Sequence, residues 1–197
     1  MESPLSDDGA TPLSPEDLES LVPTHITLQS ELNEYEKRGV LEAVGWAFAR
    51  RRSTSTLLDE KFIRALHRRM LGKVWKWAGT YRVRETANLG VDPRIIQVEL
   101  RHLLDDVRYW LEHGTYLPDE IALRFHHRLV YIHPFPNGNG RLSRLMGDLL
   151  IVAQHGKRFS WGERSFGSGE ARERYLAAVR AADKADLAPL LVFARLP

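Results

Sequence analysis

Twelve consecutive residues, His133-Pro134-Phe135-Pro136-Asn137-Gly138-Asn139-Gly140-Arg141-Leu142-Ser143-Arg144, concentrate the chemistry of this chain. Pro134 and Pro136 bar a helix from running through the segment, and Gly138 and Gly140 let backbone N–H groups approach an anion closely. Arg141 and Arg144 stand three apart, a spacing that puts both guanidiniums on one face if a helix begins here. Cations at a helix N-terminus oppose its dipole unless an anion lies between them. The combination predicts a phosphate site in which Gly138, Asn139 and Gly140 offer donors and Arg141 and Arg144 neutralise charge. His133, with an ordinary pKa near ~6.5, can take up a proton from a substrate hydroxyl at neutral pH. A plain proline-glycine turn would need only one or two of these features. Phe135 is expected to be buried and to hold the loop in shape.

The elements around this segment must deliver and support it. From Gly140 onward Leu142, Leu145, Met146, Leu149, Leu150 and Val152 recur at helical spacing, so the loop feeds a helix N-terminus. Upstream, Pro118-Asp119-Glu120 opens a helix that carries Ile121, Leu123, Phe125, Leu129, Val130 and Ile132 straight into His133. Asp92-Pro93 starts another, ending at Gly114, with a stripe from Ile96 to Leu111. Phe62, Ile63, Leu66 and Met70 mark a helix after Asp59, with His67 and Arg68-Arg69 placed on its solvated face. Trp75 and Trp77 are packing anchors. Between Thr27 and Arg51 apolar residues follow a helical period interrupted near Gly39, which predicts one long helix or two with a bend. The period is lost from Tyr81 to Val91, which predicts extended chain with a turn. Arg158 to Gly169 forms a loop, followed by a helix through Tyr175, Leu176 and Val179 and a last short one over Ala188 to Phe193. His126 and His127 lack a supporting acid at metal spacing and are assigned to packing or surface.

His133 to Arg144 resembles the signature of the Fic family, His-x-Phe-x-Asp/Glu-Gly-Asn-Gly-Arg-x-x-Arg, at every fixed position but Asn137. Trp77-Ala78-Gly79-Thr80-Tyr81-Arg82 resembles the family's segment before its flap, and Tyr175 to Asp183 with Asp186 to Leu190 resembles its C-terminal helices. Within the family the chain is most similar to the group called mobile mystery protein B, which pairs a Thr-His-Ile start with the Asn form of the signature. The resemblance implies an all-α helical bundle with a small β-hairpin flap over 82–91, where a target protein docks by strand addition. It implies transfer of AMP from ATP to a protein Ser, Thr or Tyr hydroxyl, with His133 as the catalytic base. It also implies a role for Tyr175 in lining a base pocket. The family's acid binds Mg²⁺; at Asn137 a carbonyl replaces it, able to ligate a hard cation but bringing no charge. Alternatives are transfer of another phosphate-containing group, or a non-catalytic nucleotide-binding or toxin–antitoxin protein.

Some family members carry an inhibitory helix with Ser/Thr-x-x-x-Glu-Gly/Asn, whose Glu pairs with the second signature arginine. Thr27-Leu28-Gln29-Ser30-Glu31 fits its first five positions, with Leu32 in place of Gly or Asn, and Ser30 to Glu34 is a second frame followed by Tyr35. The region 24–51 is thus a candidate inhibitory element, with Glu31 as its key residue.

Composition sets the outer bounds. A chain of 197 residues with 43% hydrophobic content supports one core, so 14–197 is expected to form a single domain behind a flexible tail, 1–13. Ser14-Pro15-Glu16-Asp17 begins a short helix ending before Pro23. Lys+Arg of 28 against Asp+Glu of 26 leaves +2, which gives nucleic-acid binding little support. Cysteine is absent, which removes disulfides, thiolate catalysis and Cys-based zinc sites. With no apolar run of about 18 residues and with Glu2, Asp7 and Asp8 near the start, the expectation is a soluble cytoplasmic protein off the membrane. Its partners would be a target protein at the flap and an antitoxin-type or identical chain.

Overall fold

The computed structural model describes residues 19–23, 29–86, 89–162 and 168–197; the expected tail, most of the helix start at Ser14 and the Thr-His-Ile segment lie outside them. The described chain is helical: α1 (Gln29–Phe48), α2 (Thr54–Leu57), α3 (Glu60–Leu71), α4 (Ile96–His113), α5 (Pro118–Ile132), α6 (Asn139–Ala153), α7 (Ser168–Ala182) and α8 (Ala188–Arg195). A 3-10 turn, Pro93–Ile95, leads into α4.

Capping residues set the boundaries. Asp59 accepts from the Lys61 N–H at 2.7 Å to start α3, and Asp92 accepts from the Arg94 N–H at 2.9 Å ahead of α4. Gly114, at φ 59°, closes α4 in the left-handed conformation. Of the two readings open for this stretch, one long helix or two with a bend, α1 is the single helix. Gly39 is a contact point: a Cβ there would lie 2.4 Å from the Met70 carbonyl oxygen, so glycine lets α1 cross α3 at backbone distance. That contact offsets the ~1 kcal/mol that glycine costs inside a helix.

α5 and α6 pack along each other, α4 covers α5, α1 lies on α3, and α7 pairs with α8. Their inner faces share one apolar core that includes Ile63, Leu66, Leu100, Phe125, Ile132, Phe135, Leu142, Met146 and Leu190. The central pair joins through the 133–138 loop, so the signature residues grow directly out of the best-packed part of the molecule.

No strand of the β-hairpin expected over 82–91 occurs among the described residues. Among the described residues the β-pairing amounts to two isolated bridges, Leu21 with Trp75 and Thr86 with Leu89. The physical reason is Arg82, whose guanidinium takes the carbonyls of Arg84 and Val91 that a ladder would need as acceptors. His67 also departs from expectation. It is fully buried, because each of its ring nitrogens has a backbone partner.

Candidate functional site

The loop is fixed from below before it presents anything outward. Phe135 is fully buried, as expected, and stacks on His67 at 3.8 Å between ring centroids. His67 Nδ1 accepts from the Gly79 N–H at 2.9 Å, so its proton sits on Nε2 and is donated to the Asn137 carbonyl at 3.0 Å. Burial lowers the His67 pKa to about 4 against its hydrogen bond to Asn137, keeping the ring neutral. Asn139 spans the loop: its Oδ1 accepts from the Phe135 N–H at 3.0 Å and its Nδ2 donates to the Phe135 carbonyl at 2.7 Å. The side-chain amide of Asn139 is therefore a loop brace, which corrects the expectation that it meets a phosphate. Gly138 holds φ 79°, and a Cβ on it would come 2.6 Å from Leu71 Cδ1.

On that base α6 begins. Its first helical bond runs from the Leu142 N–H to the Gly138 carbonyl at 2.9 Å, which leaves the N–H groups of Asn139, Gly140 and Arg141 without an intrahelical acceptor. A Cβ on Gly140 would meet nothing within 4 Å. Space above the first turn is thus open, as an anion seated on those donors requires.

His133 ends α5 in the left-handed region, φ 51° and ψ 60°, with its N–H still on the Leu129 carbonyl at 3.2 Å. The ring Nδ1 lies 3.3 Å from the Val130 carbonyl, a donor position that leaves the lone pair on Nε2. Burial lowers its pKa, the Val130 contact opposes this, and the Arg82 charge adds to the lowering. The imidazole is neutral at pH 7 and able to accept a proton.

The two arginines differ. Arg141 Nη1 donates to Glu36 Oε2 at 2.7 Å, and Glu36, 8% exposed, also accepts from Trp75 Nε1 at 2.6 Å. Arg144 lies over the Tyr175 ring, 5.2 Å from its centroid. Tyr175 is buried at 8% exposure, with its hydroxyl 3.3 Å from His126 Nε2. It is a core residue that supports Arg144 from beneath. Glu31 is exposed in the first turn of α1, and the α1 carboxylate bonded to a signature arginine is that of Glu36.

Asn137 Oδ1, the neutral donor expected for Mg²⁺, accepts from the Gly138 N–H at 2.6 Å, which leaves it one lone pair and no charge to offer a cation.

Two residues that matter here carry no motif signal of their own. His67 and Glu36 could have been found as polar residues on apolar stripes, His67 between Ile63 and Met70, Glu36 between Leu32 and Val40. Arg82, discussed below, closes the segment Trp77 to Arg82 noted above, but nothing in that segment marks its side chain as a tie to His133.

Fold and site together define an all-α domain that sets one neutral imidazole beside a cationic helix N-terminus. Residues 57–151 match the family model described as the Fic/DOC family. Those residues form a Fic-family domain. It is 38% identical over 95 residues to the protein adenylyltransferase Fic of Drosophila virilis, covering 47% of this chain and 20% of that protein. The chain thus spans about a fifth of the curated relatives it matches. Among solved structures, Fic-1 (residues 134–508) from C. elegans superposes with TM-score 0.66 at 23% identity, covering 89% of this chain and 50% of that one. The N-terminal Fic domain of a VirB-translocated Bep effector protein from Bartonella quintana, with bound ADP, gives 0.67 at 17% identity, covering 87% and 86%.

Proposed function

We propose that this chain transfers AMP from ATP to a Ser, Thr or Tyr hydroxyl of a protein. The observation that carries the reading is the neutral His133 with its Nε2 lone pair free, five residues before the N-cap of a helix whose first N–H groups are open. Nε2 takes the proton from the acceptor hydroxyl, the hydroxyl oxygen bonds to the α-phosphorus, and the bond from that phosphorus to pyrophosphate breaks. Developing negative charge meets the α6 N-terminus and Arg144, and Arg141 as well when Glu36 releases it. No step passes through a metal held by this chain. Loss of the base typically costs about 10²–10⁴-fold.

The name of the Drosophila relative and the ADP in the Bartonella domain support the nucleotide and the transfer. The acceptor protein docks on the 82–91 segment, where Val83 is 85% exposed and Leu89 is exposed beside it. α1 restrains the reaction: Glu31 is the residue its sequence motif points to, and Glu36 is the carboxylate already on Arg141.

The test uses ATP labelled at the α- or the γ-phosphate, a cell lysate, and either the parent chain or His133→Ala. The expected result is protein labelling from α-labelled ATP that depends on His133, with no labelling from γ-labelled ATP. Equal labelling by parent and variant would overturn the mechanism.

A further inference from the structure

Arg82 is 4% exposed and makes no ion pair among the described residues. Its guanidinium is given over to carbonyl oxygens. Nε donates to His133 O at 2.6 Å, Nη1 to Arg84 O at 3.0 Å, and Nη2 to both Val91 O and Ile132 O, the latter at 3.4 Å. Its own backbone N–H donates to Pro134 O at 3.0 Å, and the Val91 N–H reaches Ile132 O at 3.4 Å. One side chain therefore ties both ends of the 84–91 segment to the residues at which α5 stops. Gly90 closes the joint from the other side. At φ 87°, a Cβ on it would lie 2.5 Å from Arg82 Nη2 and 2.8 Å from His133 Cβ.

We propose that Arg82 is a positioning residue that holds the His133 backbone and couples it to the 84–91 segment. The inference deepens the proposed function, since it rests on His133 being the base. His133 occupies a left-handed conformation that costs a non-glycine residue on the order of 1 kcal/mol or more and persists only when its surroundings impose it. Arg82 does so by satisfying the carbonyls of the last two residues before Pro134, at a helix C-terminus where a cation is also favoured by the dipole. A lysine could not replace it, because a single ammonium lacks the planar fork that reaches four oxygens lying in different directions. A peptide that pairs with the 84–91 backbone competes for the Arg84 and Val91 carbonyls, and the same guanidinium passes that change to Ile132 and His133. The docking segment and the base are thus mechanically linked.

The charged groups around this joint are Arg82 itself, Glu85 and Asp92 on its own segment, and Arg94 paired with Asp92. Of these Arg82 acts on His133 directly. A charge-removing variant should therefore raise the imidazole pKa, and a charge-retaining one should not.

The experiment follows the His133 ring by NMR through a pH titration, and amide exchange at Gly90 and Val91, in the parent chain, Arg82→Gln, Arg82→Lys and Gly90→Ala. Arg82→Gln is expected to raise the His133 pKa by about half a unit or more and to speed exchange by at least ~10-fold. Arg82→Lys should leave the pKa near the parent value while exchange still speeds up. Gly90→Ala, which displaces the joint without touching Arg82, should also speed exchange. In the labelling assay each variant should lose roughly 10–100-fold, the scale of a 1 Å misplacement of a reacting group. ADP binding should stay within about twofold of the parent, an effect of no more than ~0.4 kcal/mol. Full recovery of exchange and labelling in Arg82→Lys, or a folded Arg82→Gln with parent-like pKa and exchange, would overturn the proposal. If the parent chain labels nothing, the proposed function fails while titration and exchange still decide the role of Arg82.

Discussion

Two flanks of the signature loop meet opposite conditions. On the α1 and α3 side, each polar group of the loop described above is answered from within: His67 on Asn137 and Gly79, Asn139 on Phe135, Glu36 on Arg141 and Trp75. On the side of Gly140, Arg144 and His133 Nε2, the space over Gly140 is open and Arg144 rests on an aromatic ring instead of a carboxylate. The difference separates what builds the loop from what the loop offers. Residues of the same type fall on both sides. Arg141 and Arg144 are three apart in one helix, yet the first is neutralised by the protein and the second is left for a ligand.

The imidazoles buried beneath the two flanks should make the fold fail in acid, and this is the largest effect expected. His67 and His126 are buried and neutral, with pKa values lowered to about 4 and about 3 mainly by desolvation. Unfolded, both titrate near ~6.5. The unfolded chain therefore binds more protons below that value, so stability is complete above it and is lost as pH falls through about 4 and then about 3. Asp148, raised by burial, works in the opposite direction, and the two imidazoles outweigh it. Urea unfolding should lose several kcal/mol between pH 7 and pH 4; a flat profile would place these histidines in contact with solvent.

The open flank should respond to ligand more than to acid. Arg144→Ala is expected to weaken ADP binding by roughly 10–100-fold, the worth of a charge-assisted hydrogen bond, and Arg141→Ala by clearly less. Calorimetric titration checks the order; the reverse order would mean that Glu36 leaves Arg141 in solution. Gly140→Ala fills the space over the first turn without touching the fold. It should cost about tenfold in ADP affinity, close to 1.4 kcal/mol, with thermal stability unchanged or slightly raised. Glu36→Gln should do the smallest thing and in the other direction, tightening ADP severalfold by freeing Arg141, at a stability cost of about 1–3 kcal/mol. Weaker binding in this variant would make Glu36 a brace for Arg141 rather than a competitor of phosphate.

Much of the signature loop was legible in the sequence, because it is contiguous. His133, Gly138, Gly140 and the two arginines announce themselves by type and spacing, and the helices on either side follow from apolar periodicity and capping residues such as Asp59, Asp92 and Gly114. The closed flank depends on partners far away in the chain. Glu36 meets Arg141 across 105 residues and His67 meets Asn137 across 70, and local patterning does not encode such pairs. At 82–91, too, Arg82 draws the segment to α5 by side-chain bonds that a period-two pattern cannot reveal. Gly39 left one helix and two equally open, since a glycine placed for helix crossing looks like one placed to bend a helix.

The most direct test of the site is a crystal structure of this chain with ADP. The diphosphate should lie against the N–H groups of Asn139, Gly140 and Arg141 with Arg144 on its outer oxygens, while Asn139 keeps both bonds to Phe135 and His133 Nε2 stays open toward the phosphate. ADP bound elsewhere, or a nucleotide that reaches this helix only after the Asn139 brace breaks, would contradict the account.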